Sequence, residues 1–258
     1  MNVEVYLTAS SATEDDLKGK SVIVVDVLRA CSTIVTALNH GARAVIPVAD
    51  MAEASRIGAH MGTTSLLGGE RSGTKIDGYA LGNSPEEYTP EAVQGKTVVL
   101  NTSNGTRAVT QARGAAEIAI GCFLNVSKVI EFAWKAEHEV VILCAGSDDR
   151  VALEDILCAG LILNQLWSDG EHHERSDAAH IALSLYAYDK DDLTNALMRS
   201  NHAQRLIELG FEDDVRYCAR VDALPLLPIY RDSRLVLADP SAAAYSSKTV
   251  PSEAPTET

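Results

Sequence analysis

The chain has 258 residues, with 46% apolar and 22% charged, ordinary values for a globular protein able to bury a sizeable core. Its 22 basic and 36 acidic residues give a net charge of -14, which argues against a general nucleic-acid or anionic-membrane surface; a few convergent arginines can still hold a small anion. Five cysteines, odd in number and mostly in apolar runs, read as reduced thiols of a soluble cytoplasmic protein, with no signal peptide and no run near the ~20 apolar residues of a bilayer span.

Along the chain, short apolar runs read as strands at residues 4–8, 22–26, 44–49, 64–67, 97–101, 117–121 and 140–144. Helical spacing falls between them at 32–39, 51–61, 106–112 and 126–136. The longest helix is expected at 151–167, where Ala159-Gly160 suits close packing. Several strands are apolar on both faces, as when helices cover both sides of a parallel sheet. The alternation therefore predicts a layered α/β/α architecture with a largely parallel sheet. Further helices are expected at 177–189, 191–200 and 201–209, with Ser200 or Asn201 as N-cap and Gly210 as C-cap, and late strands at 226–230 and 235–238. Residues 239–258 are rich in Ala, Ser, Pro and Thr without periodicity and read as a disordered tail. The rest, 1–238, is expected to form a single α/β catalytic domain, with room for two similar sub-lobes dividing near 135–140.

The first half contains an internal echo. Residues 21–50 and 97–123 each run from an apolar strand through a polar loop into a helix. Lys20 aligns with Lys96 at an offset of 76 and Gly41 with Gly114 at an offset of 73, so a three-residue gap falls inside the polar loop. The scaffold repeats while the chemistry at its tip differs.

In open α/β sheets, ligands gather at the carboxyl ends of strands. Asp26 ends such a strand, where a carboxylate can bind a hard cation or attack phosphorus. In the same loop Arg29 can grip a phosphate or sulfonate, and Ser32 or Thr33 can offer hydroxyl and N–H groups to an oxyanion. The plainer roles are helix caps and a surface ion pair; the echo at Asn101 favours function. In the second copy Asn104, Gly105 and Thr106 form a tight-turn sequence able to make an anion nest, ahead of Arg107. Between the copies, Gly68 and Gly73 have phosphate-loop spacing, but Thr74-Lys75 reverses the order a P-loop needs. Glu70-Arg71 sets a metal-binding carboxylate beside a guanidinium, in a glycine-rich stretch that could act as a lid. Glu154 and Asp155, in the first turns of the long helix, are further hard-cation ligands or simply favourable charges at a helix start. Asp222 reads as a turn former, and the His172-His173 pair as solvated.

Together VVDVLRACSTIVTAL, GGER with the downstream LGNSP, NTSNGTRAV, and CAG followed by LEDILCAG resemble the 2-phosphosulfolactate phosphatase family, the magnesium-dependent ComB-type enzymes of coenzyme M biosynthesis. These stretches span about half of the first 165 residues in the expected order, and LGFEDDVRYCARVDALPLLP matches more loosely. The resemblance implies magnesium-dependent hydrolysis of a phosphate ester of a small sulfonated hydroxy acid. It places Mg2+ on Asp26, Glu70 and the Glu154-Asp155 pair, and sets Arg29, Arg71, Arg107 and the 104–106 turn toward phosphate, sulfonate and carboxylate. The partner expected is therefore a small anionic phosphate ester, with no nucleic acid or membrane, as the charge already argues, and the chain is expected to form a homo-oligomer. Leu28 stands where an Asp-x-Asp phosphatase would carry its second acid, so attack by metal-activated water is favoured over a covalent aspartyl-phosphate.

Two other readings stand beside this one. A non-catalytic binding module for a small anionic metabolite needs only the arginines and N–H loops. A cysteine-dependent phosphatase would use Cys144 and Arg150, which have Cys-x5-Arg spacing, although Asp148 and Asp149 inside that loop would repel a phosphate.

Overall fold

The computed structural model describes residues 2–168 and 176–239. The expected tail from 240 onward and the His172-His173 pair lie outside the described residues. Ten strands occur in chain order: β1 Val3–Tyr6, β2 Ser21–Val25, β3 Ala44–Pro47, β4 Ser65–Arg71, β5 Thr74–Lys75, β6 Thr97–Asn101, β7 Glu117–Gly121, β8 Val140–Cys144, β9 Pro228–Arg231 and β10 Arg234–Leu237. The helices of the first half are α1 Glu14–Leu17, α2 Ala30–Asn39, α3 Met51–Met61, α4 Pro90–Val93, α5 Gly105–Gln111 and α6 Val126–Lys135. The later ones are α7 Leu153–Leu166, α8 Asp177–Asp189, α9 Leu193–Met198, α10 Asn201–Glu208 and α11 Glu212–Cys218.

All ten strands join one sheet in the order β1-β8-β2-β7-β9-β10-β3-β6-β4-β5. The ladders β1–β8, β8–β2, β2–β7, β3–β6 and β6–β4 are parallel. The antiparallel β9–β10 hairpin sits between the two parallel groups, meeting β7 on one side and β3 on the other. The two sequence repeats are β2-α2-β3 and β6-α5-β7, and they interleave. The first strand of each pairs with the second strand of the other, Val22 opposite Ile118 and Val45 opposite Val98.

Residues of β2 and β6 are buried without exception, as expected of strands covered on both faces. Alternation then sorts them. Val22 and Val24, with Ile118, Ile120, Val98 and Leu100, pack under Ile34, Leu38 and Val109 of α2 and α5 in a core common to both parallel groups. Ile23 and Val25 point the other way, against Val129 and Ile130 of α6 and Leu157 and Leu161 of α7. Val99 with Ile46 and Leu67 meets Ala54 and Ile57 of α3. Each fully buried aliphatic side chain contributes about 1.5–3 kcal/mol. The architecture is α/β, a mostly parallel sheet layered between helices.

Three two-residue reversals carry positive φ at both central positions: Ser72-Gly73 (55° and 89°) between β4 and β5, Asp148-Asp149 (50° and 59°) after β8, and Asp232-Ser233 (50° and 61°) between β9 and β10. This suits the right-handed twist of the strands they connect, and short Asp and Ser side chains tolerate it. The Asp148-Asp149 reversal is closed by Ser147 and Arg150, whose N–H and C=O groups exchange bonds of 2.9 and 3.0 Å. The helix expected from 151 starts two residues later, α7 beginning at Leu153. Asp222, with φ 51°, accepts from the Ser127 N–H at 2.7 Å and so serves the start of α6.

Candidate functional site

A cavity of about 690 Å3 opens at the carboxyl ends of β2, β4, β6 and β8, a size suited to a small molecule. Asp26, Glu70, the 102–104 turn and Ser147, each following or ending a strand, line it, so the strand-loop units do gather in one place. Much of its remaining wall comes from Arg150 in the loop before α7, Glu154 in the first turn of α7, Arg199 at the end of α9, and His202 and Arg205 of α10.

Asp26 is 5% exposed. Its Oδ1 accepts from the Ala30 N–H at 3.0 Å. Burial raises the carboxyl to about 6; a nearby His202 and the Ala30 N–H oppose this, while Glu70 and Glu154 add to it. Gly105 opens α5 directly against this group, where an added Cβ would stand 2.6 Å from Asp26 Oδ2 and 2.5 Å from Ala30 Cβ. Glycine is needed here for close approach. Glu70 accepts from Ser103 N–H and Gly73 N–H, both at 2.8 Å, which locks the β4–β5 hairpin to the β6–α5 loop.

The two acids that begin α7 divide in function. Glu154 faces the cavity; its Oε1 lies 3.5 Å from His202 Nδ1, and its buried Oε2 has no hydrogen-bond partner among the described residues. Asp155 faces away, accepting from the Val27 N–H at 2.8 Å and the Gly146 N–H at 3.1 Å. It clips the β2–α2 loop to the β8–α7 loop, and its carboxyl is raised by burial and then by the Asp26 and Glu154 charges. Burial alone would lower the His202 imidazole, but the Glu154 contact and the Asp26 charge outweigh it and the pKa is raised.

Arg29 lines the cavity yet is held within the protein. One guanidinium nitrogen donates to Asp214 at 2.6 Å and the other to the Gly73 carbonyl at 2.8 Å, with the Phe211 ring centre 4.4 Å away. Asp214 also accepts from the Ser84 hydroxyl at 2.6 Å, so this pair joins the β2–α2 loop, the LGNSP segment and α11. Ser32 and Thr33 lie beneath the cavity floor, their hydroxyls donating to the Val27 and Asn83 carbonyls at 2.8 Å. Arg71 braces the second repeat, donating to Asn101 Oδ1 at 2.7 Å and the Glu70 carbonyl at 2.8 Å. Thr106 is buried, its hydroxyl donating to the Thr102 carbonyl at 2.9 Å. Arg107 is exposed in an ion pair with Asp149. Of the turn expected to face an anion, Asn104 lines the cavity, while Gly105, Thr106 and Arg107 do not.

Cys144 is fully buried in β8 among core residues, with its thiol pushed up well above its ordinary value by burial and then by Asp155 and Glu154. A thiolate nucleophile has no support there. His202, Asn83, Arg199 and Arg205 were not singled out from sequence. The available signal was Ser200, whose hydroxyl accepts from the Ala203 N–H at 3.1 Å and so fixes where α10 starts. Asn83 is 5% exposed, with Oδ1 unpartnered among the described residues at the cavity wall.

Among the described residues, no three or more His, Cys, Asp or Glu side chains are grouped to hold a metal ion. Beside one cavity, however, Glu154 Oε2 is buried with no hydrogen-bond partner among the described residues, and Asp26 is tied through Oδ1 to the Ala30 N–H. That all-oxygen donor set fits magnesium, which is bound through one or two carboxylates with the other places left to substrate phosphate and water.

Carboxylates and arginines lining one cavity, at the carboxyl ends of parallel strands, define a site for a small anionic ligand. A family model described as 2-phosphosulpholactate phosphatase matches residues 6–233, and the chain belongs to that family of phosphoric monoester hydrolases. A protein named probable 2-phosphosulfolactate phosphatase from Caldanaerobacter subterraneus subsp. tengcongensis is 41% identical over 231 residues, 88% of this chain and 95% of the relative. One of the same name from Clostridium acetobutylicum is 36% identical over 236 residues, 92% and 100% of the two chains. A third, from Symbiobacterium thermophilum, is 38% identical over 224 residues, 86% and 96%. No helix among the described residues is long and apolar enough to cross a membrane.

Proposed function

We propose that this chain hydrolyses 2-phosphosulfolactate, or a close 2-phospho-hydroxy acid, to the free hydroxy acid and phosphate, with magnesium held by Asp26 and Glu154. The observation that carries this reading is the pairing of two buried carboxylates, Asp26 and Glu154, the latter with its Oε2 lacking a hydrogen-bond partner among the described residues, on a cavity that arginines also line. A pure anion-binding module has no use for buried carboxylates, which repel its ligand. Bound at these two carboxylates, magnesium supplies neutralising charge for the phosphoryl oxygens and a more acidic water. The Ala30 N–H holds Asp26 at Oδ1, so Asp26 would meet the cation through Oδ2 and orient water bound to it. His202, its Nδ1 3.5 Å from Glu154 Oε1, is the group placed to give a proton to the leaving alkoxide oxygen. Arg29 holds the loop that carries Asp26.

Phosphate release from 2-phosphosulfolactate, measured with magnesium and then with EDTA, tests the proposal. Turnover that needs magnesium and disappears in Asp26→Asn is expected. Turnover surviving EDTA would reject the cation, and no release in either condition would reject the reaction.

A further inference from the structure

Among the described residues four arginines line the cavity, and they are of two kinds. Arg29 and Arg199 are each committed to a carboxylate at 2.6 Å, Asp214 and Asp189 respectively. Arg150 and Arg205 have no carboxylate partner among the described residues. In a chain of net charge -14, these two guanidiniums bring uncompensated positive charge to one cavity. Their positions are fixed by backbone. Arg150 is set by the Asp148-Asp149 reversal, and Arg205 follows one turn after the Ser200 cap of α10. Nearby, the first turn of α10 opens onto the cavity at Asn201 and His202, adding the unpaired N–H groups of a helix start.

Resting on the reaction proposed above, we propose that Arg150 and Arg205 bind the sulfonate of the substrate and set the preference for sulfonated over unsulfonated 2-phospho-hydroxy acids. The phosphate lies where a cation screens it from Asp26 and Glu154. The second strong anion has no such screen, so it is drawn to the two lining guanidiniums that no carboxylate already neutralises. A sulfonate is permanently ionised and presents three acceptor oxygens, which two guanidinium forks can grip.

The test compares wild type, Arg150→Gln and Arg205→Gln on 2-phosphosulfolactate and on 2-phospholactate, which keeps phosphate and carboxylate but lacks sulfonate. In either variant kcat/KM for the sulfonated ester falls roughly ten- to a hundredfold more than for phospholactate, the loss expected for a charged hydrogen bond. Equal losses on both esters, or none on either, overturn the assignment. Calorimetric binding of sulfolactate alone reads the same contact without turnover. Its dissociation constant rises at least about tenfold in Arg205→Gln, and an unchanged value again overturns the assignment. Wild type that binds sulfolactate through these arginines yet releases no phosphate would reject the reaction and keep the recognition site. Wild type that turns over both esters equally would do the reverse.

Discussion

Asp26→Asn should stabilise the metal-free protein while abolishing turnover, and the gain should have a defined dependence on pH. Asn keeps the Oδ1 acceptor for the Ala30 N–H and has nearly the same shape, so packing against Gly105 is preserved. What disappears is a buried charge. Moving the Asp26 carboxyl from its ordinary 3.8 to about 6 corresponds to about 3 kcal/mol. Because the folded value is raised, the wild type carries no penalty while Asp26 is protonated in both folded and unfolded chains. The penalty grows as pH climbs past the unfolded value and levels off once the folded group has also ionised. In EDTA, urea unfolding of the two proteins should therefore agree below about pH 4 and separate by about 3 kcal/mol above about pH 6. At neutral pH this is a Tm gain of roughly 6–12 °C for a domain of this size. An equal difference at pH 4 and pH 8, or a variant less stable at pH 8, would refute the reasoning.

Glu154→Gln should leave the fold intact and remove the rise in Tm that added magnesium gives the wild type; a full magnesium response in the variant would free Glu154 of any role in holding the cation. Arg29→Ala strands Asp214 at 2% exposure without its partner and should cost about 3–5 kcal/mol in urea unfolding, with part regained in the double variant Arg29→Ala/Asp214→Asn. A loss under about 1 kcal/mol would show the pair to be solvated. Gly105→Ala pushes a methyl into Asp26 and Ala30, and displacement of that carboxylate by about 1 Å should lower kcat by roughly a hundredfold. Wild-type kcat in a folded Gly105→Ala would contradict the close approach.

Much of the fold was legible because burial writes directly into composition. Val22–Val25, Val98–Leu100 and Val140–Cys144 are apolar on both faces, and only a covered sheet buries both. Ala159-Gly160 was legible as a packing signal for the same reason: a Cβ on Gly160 would meet the Ala182 carbonyl of α8 at 2.2 Å. β5, of two residues, and α11, which opens with Glu212, Asp213 and Asp214, carry too little apolar periodicity to be found. At the site, sequence located the loops and could not aim their side chains. Arg29, Arg71 and Arg107 all sit where a phosphate-gripping arginine would, yet each is engaged by a protein oxygen. Of the adjacent acids Glu154 and Asp155, one turns to the cavity and the other to the backbone, a choice made by helix phase. His202 and Arg205 lie on an amphipathic helix with no strand before it, so a search along strand ends passes over them.

The interleaving of the two repeats has a consequence for how the chain is made. In the first half of the sheet, Val22 pairs with Ile118 and Val141, so no parallel ladder there closes until a long stretch has left the ribosome. The hairpin of β9 and β10, which meets both β7 and β3, is the last part of the described sheet to be synthesised. Until it emerges, two strand edges stay open in the nascent chain. A topology dominated by such distant pairings folds slowly and leaves those edges free to pair wrongly. The late hairpin closes both edges at once, and a chain truncated before Pro228 should be a chaperone client and an aggregating one.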